Sequence, residues 1–326
     1  MNVISLFSGA GGLDKGFQNA GFDVIWANEY DKKIWQTFEL NHPNTVLDRR
    51  SIVDIPSNEI PECDGVIGGP PCQSWSIAGK RGGIEDGRGK LFFEFIRIIR
   101  DKQPKFFLAE NVPGILNAKH SEALEEICQM FRDCGYKLFI NVANALDYGV
   151  PQDRKRVFFI GYRNDLTAEF NLPEVIKRVT LKESIGYLTN SAIPALKGNN
   201  TNGDKCNPSN HEYWQGDFST MFLSRNRVRP WDKQSFTIQA SGRHAPLHPQ
   251  APAMQPCGKD KMKFVEGQEH LYRRLTVREC ATIQTFPEDF VFKYKNLQDG
   301  YKMVGNAVPV KLAEAMAKVI ANDMNN

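Results

Sequence analysis

Ile4-Ser5-Leu6-Phe7-Ser8-Gly9-Ala10-Gly11-Gly12-Leu13 decides how the rest of the chain is read. The apolar run Val3–Phe7 passes straight into a glycine cluster, and Leu13 opens a helical stretch. That is strand, glycine turn, helix. Glycine has no Cβ, so the main chain there can turn sharply and approach a ligand closely. A second apolar run, Phe22–Ala27, leads to Glu29, 17 residues after Gly12. A carboxylate at that point can accept both hydroxyls of a ribose. Dinucleotide-binding enzymes place a third glycine where this chain has Asp14, and nothing supplies a pyrophosphate cradle. Two readings stay open: a loop for a nucleoside without phosphates, and a plain tight turn.

Outward from this stretch, short apolar runs alternate with helical ones. Gly65–Gly68, Phe106–Ala109 and Val157–Gly161 read as further strands. Leu91–Ile99 is helical in content, and Ser121–Tyr136 carries Leu124, Ile127, Cys128 and Phe131 at three- and four-residue spacing, with Gly135 as a stop. The pattern predicts an α/β protein with a Rossmann-like, mixed but mainly parallel sheet. Residues 186–284 differ in texture. Seven of the 18 prolines and four of the six histidines lie there, among turn-prone pieces such as Lys197–Gly203. A smaller, irregular second domain is expected over 186–284. Val310–Ile320 is helical again, with Pro309 at its start. The first domain is therefore expected to comprise 1–185 plus 285–326.

Composition narrows the class. The chain has 326 residues, 41% hydrophobic and 24% charged, which excludes disordered and fibrous proteins. No apolar run approaches the ~20 residues that span a bilayer, and Met1–Phe7 reads as a strand, not a signal peptide. Seven cysteines without a Cys-x-x-Cys pair argue against a disulfide framework and a metal site, and suit the cytoplasm. The net charge of +3 is uneven. Residues 186–284 carry 13 Lys/Arg against 8 Asp/Glu, the remainder 28 against 30, which hints at a polyanionic partner.

Three segments carry candidate chemistry. Gly68-Gly69-Pro70-Pro71-Cys72-Gln73-Ser74-Trp75-Ser76 puts a thiol at a strand's exit on a proline-stiffened backbone, where α/β ligand sites lie. Cys72 is a nucleophile or a buried structural cysteine. Ala109-Glu110-Asn111-Val112-Pro113-Gly114 brings a carboxyl to the same sheet edge; in a partly apolar site it can donate a proton to a ring nitrogen. Gln152-Asp153-Arg154-Lys155-Arg156 is a solvated charge run, or arginines pointing into a cleft from an apolar strand.

Together, in this order, these segments resemble the cytosine-C5 DNA methyltransferase family, a class I S-adenosylmethionine-dependent fold. Arg273–Glu279, Ile283–Pro287 and Gly305-Asn306-Ala307-Val308-Pro309 extend the resemblance to both ends of the chain. Ser224–Arg229 and Gln239–Arg243 are similar to GGCC-specific bacterial members. The family often has Gly-Asp-Ile where this chain has Arg50-Ser51-Ile52, which removes an acidic contact to the adenine amino group.

The resemblance implies that S-adenosyl-L-methionine is the cofactor and S-adenosyl-L-homocysteine the product. Phe7 stacks near the adenine and Glu29 holds the ribose. Gly9, Gly11, Gly12, Leu13, Tyr30, Ile52, Pro70, Leu91, Asn306 and Ala307 complete the cofactor set. Cys72, Glu110, Arg154 and Arg156 form the catalytic set, acting on a cytosine flipped out of double-stranded DNA. Gln73 and Ser76 are expected at the flipped nucleotide, Arg225, Arg227 and Arg243 at base edges, Arg229 and Thr237 at phosphates. The implied enzyme is a cytoplasmic monomer without a metal, membrane or obligate protein partner, protecting DNA from a cognate restriction endonuclease. The alternative substrate is transfer RNA.

Overall fold

In the computed structural model, residues 1–71 and 90–325 are described. They form two compact units: residues 1–144, 155–174 and 312–326, and residues 145–154 and 175–311.

The first unit opens with β1 (Asn2–Leu6), α1 (Gly12–Asn19), β2 (Asp23–Asn28), α2 (Trp35–Asn41), β3 (Val46–Asp48) and β4 (Gly65–Gly68). It continues with α3 (Lys90–Lys102), β5 (Phe106–Asn111), α4 (Ser121–Asp133), β6 (Tyr136–Asn144) and β7 (Lys155–Arg163). The seven strands form one sheet in the order β3-β2-β1-β4-β5-β7-β6. The five strands from β3 to β5 pair in parallel, while β7 runs antiparallel to both β5 and β6. This is the mixed, mainly parallel α/β architecture expected. The chain leaves β1 toward β2 and returns on its other side as β4. The crevice between the ends of β1 and β4 is thus where such sheets bind ligands.

The apolar periodicities serve this sheet. Ile127, Cys128 and Phe131 of α4 are buried, as their spacing predicts, and the ring of Phe131 stacks on Phe107 of β5 at 4.4 Å. The edge strand β6 is absent from the sequence reading. Its side chains face core and solvent irregularly, so no clean alternation marks it. Phe107 stands opposite Gly161 of β7, and a Cβ on Gly161 would fall 2.0 Å from its ring. Phe106 covers Gly65 of β4 in the same way, at 2.1 Å. The core therefore needs glycine at both positions.

The second unit carries α5 (Leu181–Ile185), the short strands β8 (Ile193–Pro194), β9 (Glu212–Tyr213), β10 (Gln255–Gly258) and β11 (Lys261–Lys263), then α6 (Val277–Ile283) and α7 (Leu297–Asn306). The final helix α8 (Val310–Asn325) starts in this unit and ends in the first. With so little sheet, buried carbonyls need other donors. Arginines supply them. Arg278 donates to the carbonyls of Ser209, Pro287 and Phe290, and Arg274 to those of Gly216 and Asp217. Glu279, fully buried, takes a two-pronged bond from Arg273 at 2.7 and 2.8 Å and closes a capping box with Thr276. Arg273 beside it holds the Glu279 carboxyl below its ordinary range against the opposing effect of burial. Burial pushes the neighbouring His248 down to about 4, so it is neutral at pH 7.

The packing units divide the chain differently from the composition-based boundaries. Residues 285–311 pack within the second unit, because Gln284 and Tyr301 bond across it to the Val304 and Leu275 carbonyls. Residues 145–154 and 175–185 also belong to it. No helix among the described residues is long and apolar enough to cross a membrane.

Gly161→Ala should lower stability by about 1–3 kcal/mol through overpacking against Phe107. The urea midpoint is the measurement. An unchanged midpoint would show that the ring gives way freely and that β5 and β7 are not locked by this contact.

Candidate active site

β1 ends in a loop that only special backbone geometry allows. Phe7, Gly9 and Gly11 all have positive φ, at 56°, 55° and 83°. Gly9 and Gly11 adopt this at little cost, and for Phe7 it is unusual. The loop is held by the next strand's exit. The main-chain N–H groups of Gly9 and Asp31 donate to the two Glu29 carboxylate oxygens at 2.9 and 2.7 Å. Trp35 Nε1 fixes the Glu29 carbonyl at 2.8 Å. A Cβ on Gly9 would meet nothing within 4 Å, so open space lies beside the loop. Phe7 and Leu91, half-buried, pack on the core cluster that includes buried Ile52. Tyr30 is exposed. Leu13 is buried in α1, which begins at Gly12. Of the expected cofactor residues in this unit, the structure thus gathers the glycine loop with Glu29, and Phe7 with Ile52 and Leu91. This cradle fits a nucleoside: a carboxylate, an aromatic ring and open space at a glycine.

β4 exits one strand away. Gly68 pairs with Leu6 of β1 and Ala109 of β5, which makes Glu110 the neighbour of Gly69. Glu110 Oε2 lies 3.3 Å from where a Gly69 Cβ would be. Its Oε1 takes a 2.6 Å bond from Arg156 Nε, with both side chains only 11% exposed. Arg156 sits on β7, whose Val157 pairs with Asn111, so antiparallel pairing delivers it to the carboxylate. Asn111 has a role the sequence reading left out. Its buried amide donates to the Pro70 carbonyl at 3.0 Å, and its oxygen accepts from the Val112 N–H. It therefore pins the start of the Pro70-Pro71-Cys72 segment. Glu110-Asn111-Val112 carries that signal, since a buried Asn beside a strand exit needs main-chain partners. Cys72, Gln73 and Ser76 lie outside the described residues.

Arg154 behaves differently from Arg156. It is buried in the second unit, and its guanidinium donates to the carbonyls of Ile238, Gly305 and Ala307 at 2.8–3.0 Å. Asn306 ends α7 in this unit and is exposed; Ala307 caps it.

The second unit also holds a concave pocket of about 210 Å³. Arg225, Arg227, Arg229 and Thr237 line it, together with Asp153, Phe236, Gln239, His244 and Pro246. Arg225 is exposed. Arg227 is anchored by donating to the Phe222 and Met221 carbonyls, and Arg229 lies over the Phe236 ring at 4.1 Å. Burial, with the neighbouring charge of Arg225, lowers the Arg227 guanidinium below its ordinary range. Thr237 Oγ1 donates to the Asp153 carbonyl at 2.6 Å, so its one hydroxyl proton is already engaged. Only its lone pairs remain for a nucleic acid, which argues against a hydroxyl bond to phosphate. Arg243 is exposed beside His244 but does not line the pocket. Gln239 and His244 escaped the sequence reading as site residues because no local pattern shows which side of an extended loop faces a cavity.

A seven-stranded, mainly parallel α/β sheet with a glycine loop at the end of β1 and a carboxylate–guanidinium pair beside Gly69 is the frame of an α/β enzyme. Residues 1–322 match the C-5 cytosine-specific DNA methylases, and the chain belongs to that family: it is a DNA cytosine-5-methyltransferase. It is 55% identical to the Type II methyltransferase M.FnuDI of Fusobacterium nucleatum, over 100% of this chain and 96% of that one. It is 54% identical to the Type II methyltransferase M.NgoPII of Neisseria gonorrhoeae, over 98% and 95%. The S. pombe Dnmt2 methyltransferase shares the fold, at TM-score 0.70 and 19% identity over the whole of both chains.

One buried acid stands behind the loop. Asp14 of α1 is fully buried, and neither carboxylate oxygen has a hydrogen bond of ordinary geometry among the described residues. Burial raises it from 3.8 to about 7; Ser5 offsets part of the rise and the Glu29 charge adds to it. The folded chain therefore holds this proton up to about pH 7, while the unfolded chain releases it near 3.8. Between those values the folded state binds more protons, so Asp14's contribution to stability falls as pH rises through the window. Asp14→Asn removes this titration. Its melting temperature should exceed the parent's at pH 8, with the gain shrinking toward pH 4. A difference that stays constant across pH would reject the assignment.

Proposed function

We propose that this chain transfers the methyl group of S-adenosyl-L-methionine to C5 of the first cytosine in GGCC, in double-stranded DNA, after that base has left the helix. The observation that carries the catalytic part is the Glu110–Arg156 pair, held beside Gly69 at the root of the segment leading to Cys72. The loop at Phe7–Gly12 with Glu29, Ile52 and Leu91 is the cofactor's place. The bound cofactor supplies an electrophilic sulfonium methyl group.

Cytosine C5 is a weak nucleophile. The Cys72 thiolate adds to C6, and the C5–C6 pair of electrons becomes available at C5. Negative charge then develops in the ring toward N3 and O2. Glu110, when protonated on the Oε2 that does not take the Arg156 bond, donates at N3, and Arg156, bonded to Oε1, supports the O2 side. After C5 has gained its methyl group, a base takes the C5 proton. The electrons of that C–H bond restore the double bond and expel the Cys72 thiolate. Splitting the substitution in this way replaces one high barrier with lower ones. The chemistry requires the base outside the stack, at a cost of a few kcal/mol.

For site reading, we assign base edges to Arg225 and Arg227, with Arg243 alongside and Arg229 at the backbone. Guanine O6 and N7 together accept a guanidinium's two N–H groups, at about 1–3 kcal/mol per contact. GGCC rests on the likeness of Ser224–Arg229 and Gln239–Arg243 to GGCC-specific members. The Type II methyltransferase relatives fit a role beside a cognate restriction endonuclease, and we infer that the enzyme works in the cytoplasm as a monomer.

Cys72→Ala should abolish methyl transfer and leave duplex binding near the parent level. A GGCC duplex carrying 5-fluorocytosine should form a covalent adduct with the parent only. Full transfer by the variant rejects the nucleophile. Plasmid from cells expressing the parent should resist GGCC-cutting, methylation-sensitive nucleases; resistance at another site rejects the specificity, and labelled methyl in transfer RNA rather than duplex rejects the substrate.

A further inference from the structure

Arg154 sits at the centre of a fully buried polar hub, where a charged side chain needs every bond it can make. Its Nη1 donates to the Ile238 carbonyl, and its Nη2 to those of Gly305 and Ala307. Two buried glutamines run beside it. Gln152 Oε1 accepts from the Ile238 N–H at 2.9 Å, and its Nε2 donates to Gln284 Oε1 at 2.9 Å. Gln284 Nε2 donates onward to the Val304 carbonyl at 2.8 Å and the Ala307 carbonyl at 3.3 Å. The peptide groups of Ile238 are thus clamped from both sides, its N–H by Gln152 and its carbonyl by Arg154. Gly305 seals the contact. A Cβ there would fall 2.4 Å from the Gln239 carbonyl group, so the main chain of Gln239 lies directly on the end of α7.

Thr237 and Gln239 flank Ile238, and both line the arginine pocket. The same segment is laced to residues 151–154 by Ser235 N–H to the Pro151 carbonyl, Asp153 N–H to the Ser235 carbonyl, and Thr237 Oγ1 to the Asp153 carbonyl. We propose that Arg154, together with Gln152 and Gln284, is a positioning residue for sequence discrimination: it sets the height and register of Thr237–Gln239 in the wall of the base-reading pocket. The inference rests on that pocket reading DNA. It takes Arg154 out of the reacting centre, where resemblance places it with Arg156. A planar guanidinium is required because it reaches three carbonyls in fixed directions, whereas an ammonium is a point charge on a flexible stem.

The test is Arg154→Lys, assayed by kcat and KM on the duplex site the parent methylates and on duplexes with one base pair changed. The ratio of kcat/KM between these should fall roughly tenfold, the scale of one lost base-pair preference, with kcat at saturating duplex within about threefold of the parent. A large loss of kcat with the ratio intact would place Arg154 at the reacting base and overturn the proposal. A lower melting temperature with the ratio intact would make the hub merely structural and overturn it equally. Gln152→Met, which removes the acceptor facing the Ile238 N–H, should move the ratio the same way and serves if the lysine variant does not fold; an unchanged ratio in it also overturns the proposal. A parent that methylates no duplex rejects the proposed function, whereas an active parent with unaltered discrimination in the variants rejects the positioning role alone.

Discussion

Strand β5 has a parallel neighbour on one side and an antiparallel one on the other, and the Glu110–Arg156 pair depends on that arrangement. The parallel ladder with β4 aligns Gly68 with Ala109, so the next residues, Gly69 and Glu110, come out side by side. The antiparallel ladder with β7 aligns Asn111 with Val157 and brings Arg156 back toward the same strand end. Side chains alternate across a sheet with period two, so a slip of one residue in either ladder would send Glu110 or Arg156 to the opposite face. The glycines under Phe106 and Phe107 guard the register, since each ring lies where a neighbouring Cβ would be.

A different constraint governs the second unit. It has few ladders, so the carbonyls of its long connections lack the usual strand partners. Arg154, Arg274 and Arg278 answer this with guanidinium groups buried among main-chain oxygens. A guanidinium has five N–H donors, more than any other side chain. The same residue type also supplies the exposed cations of the pocket, of which Arg225 is one. Basic composition in this region therefore has two physical sources, buried wiring of carbonyls and cations that line a pocket, and a count of charges does not separate them.

Much of the first unit was legible. The glycine turn, the run ending at Glu29, the exit before Cys72 and the carboxyl at Glu110 are local features, written in consecutive residues. The missing pieces are those whose partners lie far along the chain. Asn111 pins Pro70 across 41 positions, Arg154 reaches Ile238 across 84, and Gly305 across 151. In Gln152-Asp153-Arg154-Lys155-Arg156, two arginines separated by one residue look alike, and one proves to hold carbonyls while the other holds a carboxylate.

Local chemistry fixed the kind of protein: where strands turn on glycine, where proline stiffens the chain, and which side chains can attack, donate or bear charge. These follow from each residue's own stereochemistry and its near neighbours. Packing decided which of those groups meet. The partner of a guanidinium is whichever carbonyl or carboxylate the ladders and helix ends bring within about 3 Å, and burial makes leaving it unpaired costly.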